Sequence, residues 1–399
     1  MNARKIKFIL FGVFALFIFF FTNDFGLIDV EKTSIITAIA IDKYGEDYSV
    51  TAQIAVPEAT DANTENTKTQ ITGTGSTIGR AIKNLGNYTG WFPKLTFCNL
   101  ILLGEEMANT NVIEVLDYFA KTLRVQDSAQ VALTQGKAKE LLAKATPLDN
   151  ISAFALQKIM LKKTGFDKDV ASTDIKTFCV GHYSRSASSF MPVIKAIPVE
   201  DKGSSTQGGG GQGQTGQNSK SSTQQEKYTF DARTTALFKD GVKVGELPSQ
   251  LTLTYNAVFT RFNGTALSVE DVIINGQKAN CLLSVQRARS RVKLRADQNN
   301  LVLTIKLNLY CKISDVNAQG TDFSLAQNSP IPDNVKEKVQ NTITQNINDL
   351  LETSRQTGCD LLRIKEKLYR FNYKQYSRYK DNYLSMVELK PQVTIIGQH

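Results

Sequence analysis

The chain has 399 residues, of which 41% are apolar and 21% charged. That is long enough for two or three domains with cores of their own, and the ordinary balance excludes bulk disorder. Lys and Arg number 47 against 38 Asp and Glu, a formal charge of +9. Such a balance favours anionic partners, whether nucleic acid, acidic protein surfaces or anionic lipid headgroups. Five cysteines, an odd number with no CxxC spacing, argue against a disulfide framework. Cys98 and Cys311 sit inside apolar runs and are expected to behave as small buried hydrophobes.

Arg4, Lys5 and Lys7 precede an unbroken apolar run from Phe8 to Phe21. A basic segment followed by such a run reads as an export signal. Seven Phe in its fourteen positions, with no polar face, suit lipid better than a soluble core. No small-x-small cleavage pattern and no lipid-accepting cysteine follow, so an uncleaved, rather short anchor is expected, with a cleaved signal as the alternative.

Further along, Ile35 to Ile41 and Tyr48 to Ile54 alternate as strands about an Asp42–Gly45 turn and predict a hairpin. Gly73 to Ser76 reads as a glycine-rich loop leading into a helix with Ile78, Ile82 and Leu85 on one face. Its GxGxxxG spacing is a weak match to a phosphate cradle, and the Walker lysine is missing. A strand over Thr96–Leu103, a helix carrying Val112, Val115, Leu116 and Phe119, a strand over Val131–Thr134 and a helix over Lys137–Ala145 complete an α+β first domain. Residues 201 to 226 contain four consecutive glycines and no large apolar side chain, the composition of a flexible linker or long loop.

Strands resume at Ala236–Phe238 and Val242–Leu247 about a Lys239–Gly241 turn. Leu301, Leu303, Ile305, Leu307, Leu309 and Cys311 occupy every second position of a strand with one buried face. Before it, Arg287, Arg289, Arg291, Lys293 and Arg295 also recur every second residue, and Asp297–Asn300 supplies a hairpin turn. Period 2 places all five cations on one strand face, roughly 7 Å apart. Either cross-strand carboxylates and solvent relieve them, or an anionic partner does. A long helix begins near Pro332. Tyr369, Tyr373, Tyr376, Tyr379 and Tyr383 then share one helical face, with Arg370, Lys374 and Arg378 beside it, and a final strand covers Val393–Ile396. Tyrosines mixed with cations suit a membrane or protein interface, or packing on the second domain. They also suit nucleic acid, which the export signal argues against.

Catalytic chemistry finds little foothold. The two histidines are His182 and the C-terminal His399, and neither sits in a nucleophile-elbow, HExxH or EF-hand context. No cofactor or metal motif is present. A carboxylate-pair glycosidase stays open, because such residues can lie far apart in sequence. The expected architecture is α+β, with several subdomains of mixed sheet and helix behind an N-terminal hydrophobic anchor. The expected segments are a signal or anchor over 1–22, a first domain over 23–200, a linker or loop over 201–227, and a second domain over 228–399.

Taken in order, several segments resemble the Ger(x)C family, the C subunits of spore germinant receptors. They are Glu31 with Ile39–Lys43, Tyr48–Ile54 and Pro57; Thr77–Ile82 with Lys94–Phe97 and Leu102–Ala108; and Thr235–Asp240 with Val244–Leu247. The series closes with Lys338, Ile343 and Ile347, then Cys359–Asp360 and Val393–Gly397. Three departures are visible: no lipobox cysteine follows the apolar run, tyrosines replace a tryptophan near the end, and the Gly/Gln-rich insert over 201–226 is peculiar to this chain. The resemblance implies a non-catalytic subunit needed for germination in response to small nutrients. It implies a place on the outer face of the spore inner membrane, beside an A-type membrane subunit and a transporter-like B-type subunit. The germinant would then be bound by the complex and not by this chain alone. No catalytic residues carry over, and the basic ladder with Tyr373, Lys374, Tyr376 and Arg378 becomes the candidate surface for partner subunits or anionic lipid. A free-standing extracytoplasmic solute-binding protein is the principal alternative, and a cell-wall enzyme a third.

Overall fold

The computed structural model describes residues 33–55, 69–122, 125–144, 146–147, 151–160, 169–199, 226–260, 264–274, 276–317 and 330–397, with helical residues 11–14 and 16 near the N-terminus. Most of the apolar run expected as an anchor therefore lies outside the described residues, as do residues 201–225 and His399. Among the described residues no helix is long and apolar enough to cross a membrane.

The first part of the chain runs β1 (Thr33–Tyr44), β2 (Asp47–Ala55), β3 (Thr69–Gly75), α1 (Ile78–Thr89), β4 (Phe92–Lys94), β5 (Leu100–Leu103), α2 (Ile113–Thr122) and β6 (Gln130–Thr134). It continues through α3 (Ala138–Ala143), α4 (Ser152–Met160), β7 (Thr173–Asp174), α5 (Ile175–His182), β8 (Ser188–Pro198), β9 (Tyr228–Lys239) and β10 (Val242–Leu247). These strands form one mixed sheet in the order β10-β9-β8-β6-β5-β1-β2-β3, with β4 added beside β1 and β7 beside β6. Strands β1, β5, β6 and β8 run parallel at its centre, and antiparallel pairs flank them.

Both faces of this sheet are covered, as central parallel strands require. Ile39 and Ile41 of β1 pack with Ile82 and Leu85 of α1, Leu116 and Phe119 of α2, and Phe178 of α5. On the other face Ala38 and Ala40 pack with Leu141 of α3 and Leu156 of α4. The predicted β1–β2 hairpin is present, with Gly45 at φ 59 in its turn. The glycine-rich stretch is not a loop: Gly73 and Gly75 are the end of β3, paired with β2. Thr77 caps α1 by accepting from the Arg80 amide. The Thr96–Leu103 strand is shorter than its apolar run suggests. A 3-10 turn occupies Leu95–Phe97, and β5 starts at Leu100.

Strands β8 and β9 pair antiparallel from Ser188–Lys239 to Pro198–Tyr228. The Gly/Ser/Gln-rich stretch thus connects two neighbouring strands, and the first sheet extends past it to Leu247.

The remainder runs α6 (Ser249–Phe259), β11 (Thr265–Ile274), β12 (Gln277–Ala296), β13 (Leu301–Asn317), α7 (Asp333–Thr357), α8 (Ile364–Phe371), α9 (Tyr373–Tyr379), α10 (Tyr383–Met386) and β14 (Val387–Gly397). Its four strands pair in sequence order, with β14 parallel to β13. One face of this second sheet carries Leu303, Ile305, Leu307, Leu309 and Cys311 against Val335, Val339, Ile343 and Ile347 of α7. Spaced every fourth residue, those four α7 side chains, read as helical in the sequence, form the stripe that meets the sheet. Among the described residues no core cluster covers the opposite face.

Candidate functional site

The face of the second sheet away from α7 carries the basic ladder. In β12 the odd positions Cys281, Leu283 and Val285 are buried, and unbroken alternation would bury Arg287 as well. A β-bulge prevents this. Val285 pairs with Cys311 and Arg287 with Tyr310, so Gln286 is an extra residue with no opposite number. Beyond it the even positions turn inward, ending at buried Leu294, and Arg287, Arg289, Arg291, Lys293 and Arg295 are all exposed.

Cross-strand neighbours do not neutralise them. The residues opposite are Tyr310, Asn308, Lys306, Thr304 and Val302. Arg291 therefore faces Lys306, a directly opposed like-charge pair that is unfavourable in a sheet. One strand further, Glu388 lies opposite Val302 but is held by Lys390 at 3.0 Å. Among the described residues no ladder cation forms an ion pair; Arg289 lies over the Tyr310 ring at 5.7 Å. Past Val285, among the described residues, the strand pairs with β13 alone, because β11 pairing stops there.

The tyrosine segment differs from the single helical face predicted. Asn372, at φ −135 and ψ 42, breaks it into α8 and α9, and α10 follows as a further short helix. Tyr379 and Tyr383 are buried in the second core, and the Tyr379 hydroxyl donates to the Asp297 carbonyl at the ladder's hairpin turn. Tyr369, Tyr373 and Tyr376 form an aromatic cluster with centroid separations of 5.2 to 6.4 Å. The Arg185 guanidinium, from the turn between α5 and β8, sits 3.5 Å from the Tyr369 centroid. Arg370 pairs with Glu366 on α8, whereas Lys374 and Arg378 are exposed on α9. The expected cationic row is thus split between two helices.

Beside this cluster a cleft of about 1090 Å³ opens between the α5–β8 turn and the chain entering α8. Arg185, Arg363, Lys367 and Tyr369 line it, with Tyr255 and Asp360 at its wall. Asp360 is buried and accepts from the Ile364 and Lys365 amides at 2.8 Å each, capping α8. Burial raises its carboxyl above the usual 3.8 despite those donors. The same burial pulls the neighbouring Lys367 ammonium below its usual value. Sequence reasoning did not find this cleft, because its walls come from segments 170 residues apart.

A second buried carboxylate, Asp42 at the end of β1, accepts from the Ala138 and Lys139 amides at 2.8 and 3.0 Å and caps α3. It reads in the sequence as a turn residue, but it is a tertiary cap. Burial raises it too. A Cβ at residue 104 would lie 2.1 Å from its Oδ1, so Gly104 leaves it room. His182 is half-buried, edge-on to Tyr183 at 4.9 Å, with Nδ1 unpartnered among the described residues. All five cysteines are free, and burial pushes Cys98, Cys311 and Cys359 up to about 12. Among the described residues no group of His, Cys, Asp and Glu is arranged to hold a metal ion.

Comparison with known proteins places this architecture. Residues 27–196 match the family model described as the spore germination protein N-terminal domain. Residues 233–397 match that described as spore germination B3/GerAC like, C-terminal. No curated protein matches the chain. The crystal structure of the GerBC protein aligns over 93% of this chain and 100% of its own, at 14% identity and a TM-score of 0.49. The two family models follow one another in order and together span most of the sequence, and the chain belongs to the GerAC family of spore germination proteins.

Proposed function

We propose that this protein is the non-catalytic C subunit of a germinant receptor complex, tethered at the outer face of the spore inner membrane by its N-terminal apolar segment. There it assembles with A-type and B-type membrane subunits. The germinant is bound by the assembled complex and not by this chain alone. Family membership supports a role in germination. The observation that carries assembly is the opposed pair Arg291–Lys306 at the centre of an exposed ladder without carboxylates. A sheet face that is electrostatically unfavourable in isolation is relieved by an anionic partner, either an acidic surface of another subunit or anionic lipid. Tyr373, Tyr376, Lys374 and Arg378 form a second, smaller contact area on α9.

Affinity purification from spore inner membranes through a C-terminal tag tests the reading. Recovery of polytopic partners with the full chain supports it. A soluble monomer without partners overturns it.

The cleft favours a second reading, a solute-binding protein. Its volume accommodates a small metabolite, and Arg185, Arg363 and Lys367 would favour a carboxylate-bearing one. Calorimetry of the full chain with amino acids decides: measurable affinity without partner subunits supports this reading.

A further inference from the structure

The corner where β1 begins carries an unusual set of exposed side chains. Strand β4 lies parallel to the first residues of β1, with Thr33 opposite Phe92 and Ile35 opposite Lys94. Trp91 is 49% exposed, Phe92 39%, Phe97 50% and Ile35 40%. Lys94 sits among them, with its ammonium 6.0 Å from the Phe97 ring centroid. Single exposed apolar residues are ordinary, but four around one lysine form a patch that asks for a cover.

Local backbone geometry holds the patch in place. Gly90 ends α1 in the left-handed region at φ 72 and turns the chain outward at Trp91. Leu95 and Cys98 then anchor the following turn in the core, at 2% and 0% exposure. Two buried residues thus fix a short elbow whose remaining large side chains have nowhere to go but out.

Chemistry and chain connectivity point to the same occupant. No carboxylate occurs between residues 66 and 104, while Arg80, Lys83 and Lys94 do. Tryptophan and phenylalanine beside lysine, in a stretch without acidic residues, is the composition that settles at the boundary between headgroups and acyl chains; the carboxylates of this end of the chain, Asp24, Asp29 and Glu31, lie on the tether. The residues from 22 to 32 that join the apolar run to β1 reach at most about 40 Å when fully extended. The tether therefore holds the start of β1, and this corner beside it, within about 40 Å of the bilayer.

We propose that Trp91, Phe92 and Phe97, with Lys94, dock into the interfacial layer of an anionic membrane and fix the orientation of the folded body on it. The proposal rests on the membrane reading above and adds a specific contact to it.

Trp91 is the sole tryptophan of the chain, so its emission reports on this corner alone. The full-length protein is reconstituted with phosphatidylglycerol–phosphatidylcholine vesicles. Flotation then measures the tether, and quenching by lipids brominated near the headgroup end measures docking. The expected result is flotation, a blue shift of Trp91 emission and quenching. Phe97→Ser and, separately, Lys94→Glu should leave flotation intact and reduce the quenching. Flotation with unshifted, unquenched emission overturns the docking and leaves the tether standing. Failure to float overturns the membrane reading and the docking with it. A blue shift that needs the polytopic subunits and brings no lipid quenching overturns the lipid contact in favour of a protein one.

Discussion

Val285 and Arg287 are two residues apart in one strand yet lie on opposite faces of the sheet: Val285 is fully buried opposite Cys311, and Arg287 is exposed opposite Tyr310. Gln286, the unopposed residue between them, reverses the alternation. Deleting Gln286 makes Arg287 the direct neighbour of Val285, so plain alternation keeps Val285 inward opposite Cys311 and Arg287 outward opposite Tyr310. The deletion is therefore expected to keep both faces of the sheet and to cost no more than about 1 kcal/mol, and Gln286→Ser roughly 0.5 kcal/mol or less. Urea unfolding of the two variants checks this. A loss of more than about 4 kcal/mol on deletion would show that the second sheet needs the extra twist and bend of the bulge and not only its reversal of the side-chain pattern.

Reversing the ladder's charge should leave the fold alone. Arg289 and Arg291 are exposed and, among the described residues, without ion pairs, and Arg291→Glu replaces a like-charge opposition to Lys306 with an attractive one. The double variant Arg289→Glu, Arg291→Glu should unfold within about 0.5 kcal/mol of the parent. It should also lose capture of partner subunits or of anionic vesicles, and the parent's binding should weaken with salt. If the variant binds both as well as the parent does, the cations serve only to keep an edge strand from pairing with another chain.

Much of this fold was readable because local pattern and tertiary role coincide. The alternating leucines of β13 and the Val335–Ile347 stripe of α7 each expose a period that one buried face imposes. The ladder was found for the same reason, since five cations at period 2 have no competing explanation in a core. Other features escaped because they depend on contacts between distant segments. Asp42 caps a helix that begins 96 residues later, and nothing beside it in sequence says so. The break at Asn372 was missed because a tyrosine spacing of four, three, three and four fits one helix as well as two. The cleft, the aromatic corner at Trp91 and the pairing of β8 with β9 likewise become visible only once the sheets are assembled.

Gly73 illustrates a glycine whose need is steric. It lies in β3, where α1 folds back so closely that a Cβ would stand 2.3 Å from the Ala81 carbonyl oxygen and 3.0 Å from the Leu85 amide nitrogen. Both neighbours are backbone, so neither can swing aside. Gly73→Ala is expected to destabilise by about 1–3 kcal/mol, as overpacking does. A thermal shift against the parent measures it. An unchanged melting temperature would mean that α1 can slide away from β3 at no cost, and the close approach would then carry no weight in the first core.

Acid should stabilise this protein before it harms it. Burial raises Asp42 and Asp360 above the usual 3.8, outweighing the two amides that each of them accepts from. A carboxyl whose folded-state pKa is raised contributes stability that is fully present below the unfolded value and is lost as pH rises through the folded one. Asp117, Asp231, Asp271 and Asp333 work in the opposite sense: hydrogen bonds from Lys121 and Tyr183, Arg233, Lys278 and Lys336 hold them low, and what they contribute is lost as pH falls below the usual value. Asp271 and Asp333 are fully exposed and the cations on Asp117 and Asp231 are exposed as well, so solvent screens their share. The buried pair is expected to outweigh them, and the urea midpoint should then fall as pH is raised from about 4 into the neutral range. Asp42→Asn and Asp360→Asn should each flatten that slope, while weakening a helix cap by about 1 kcal/mol. Together they should remove most of the slope. A double variant with the parent's pH dependence would show that neither carboxyl titrates in the folded state, and that both are held ionised by the helices they cap.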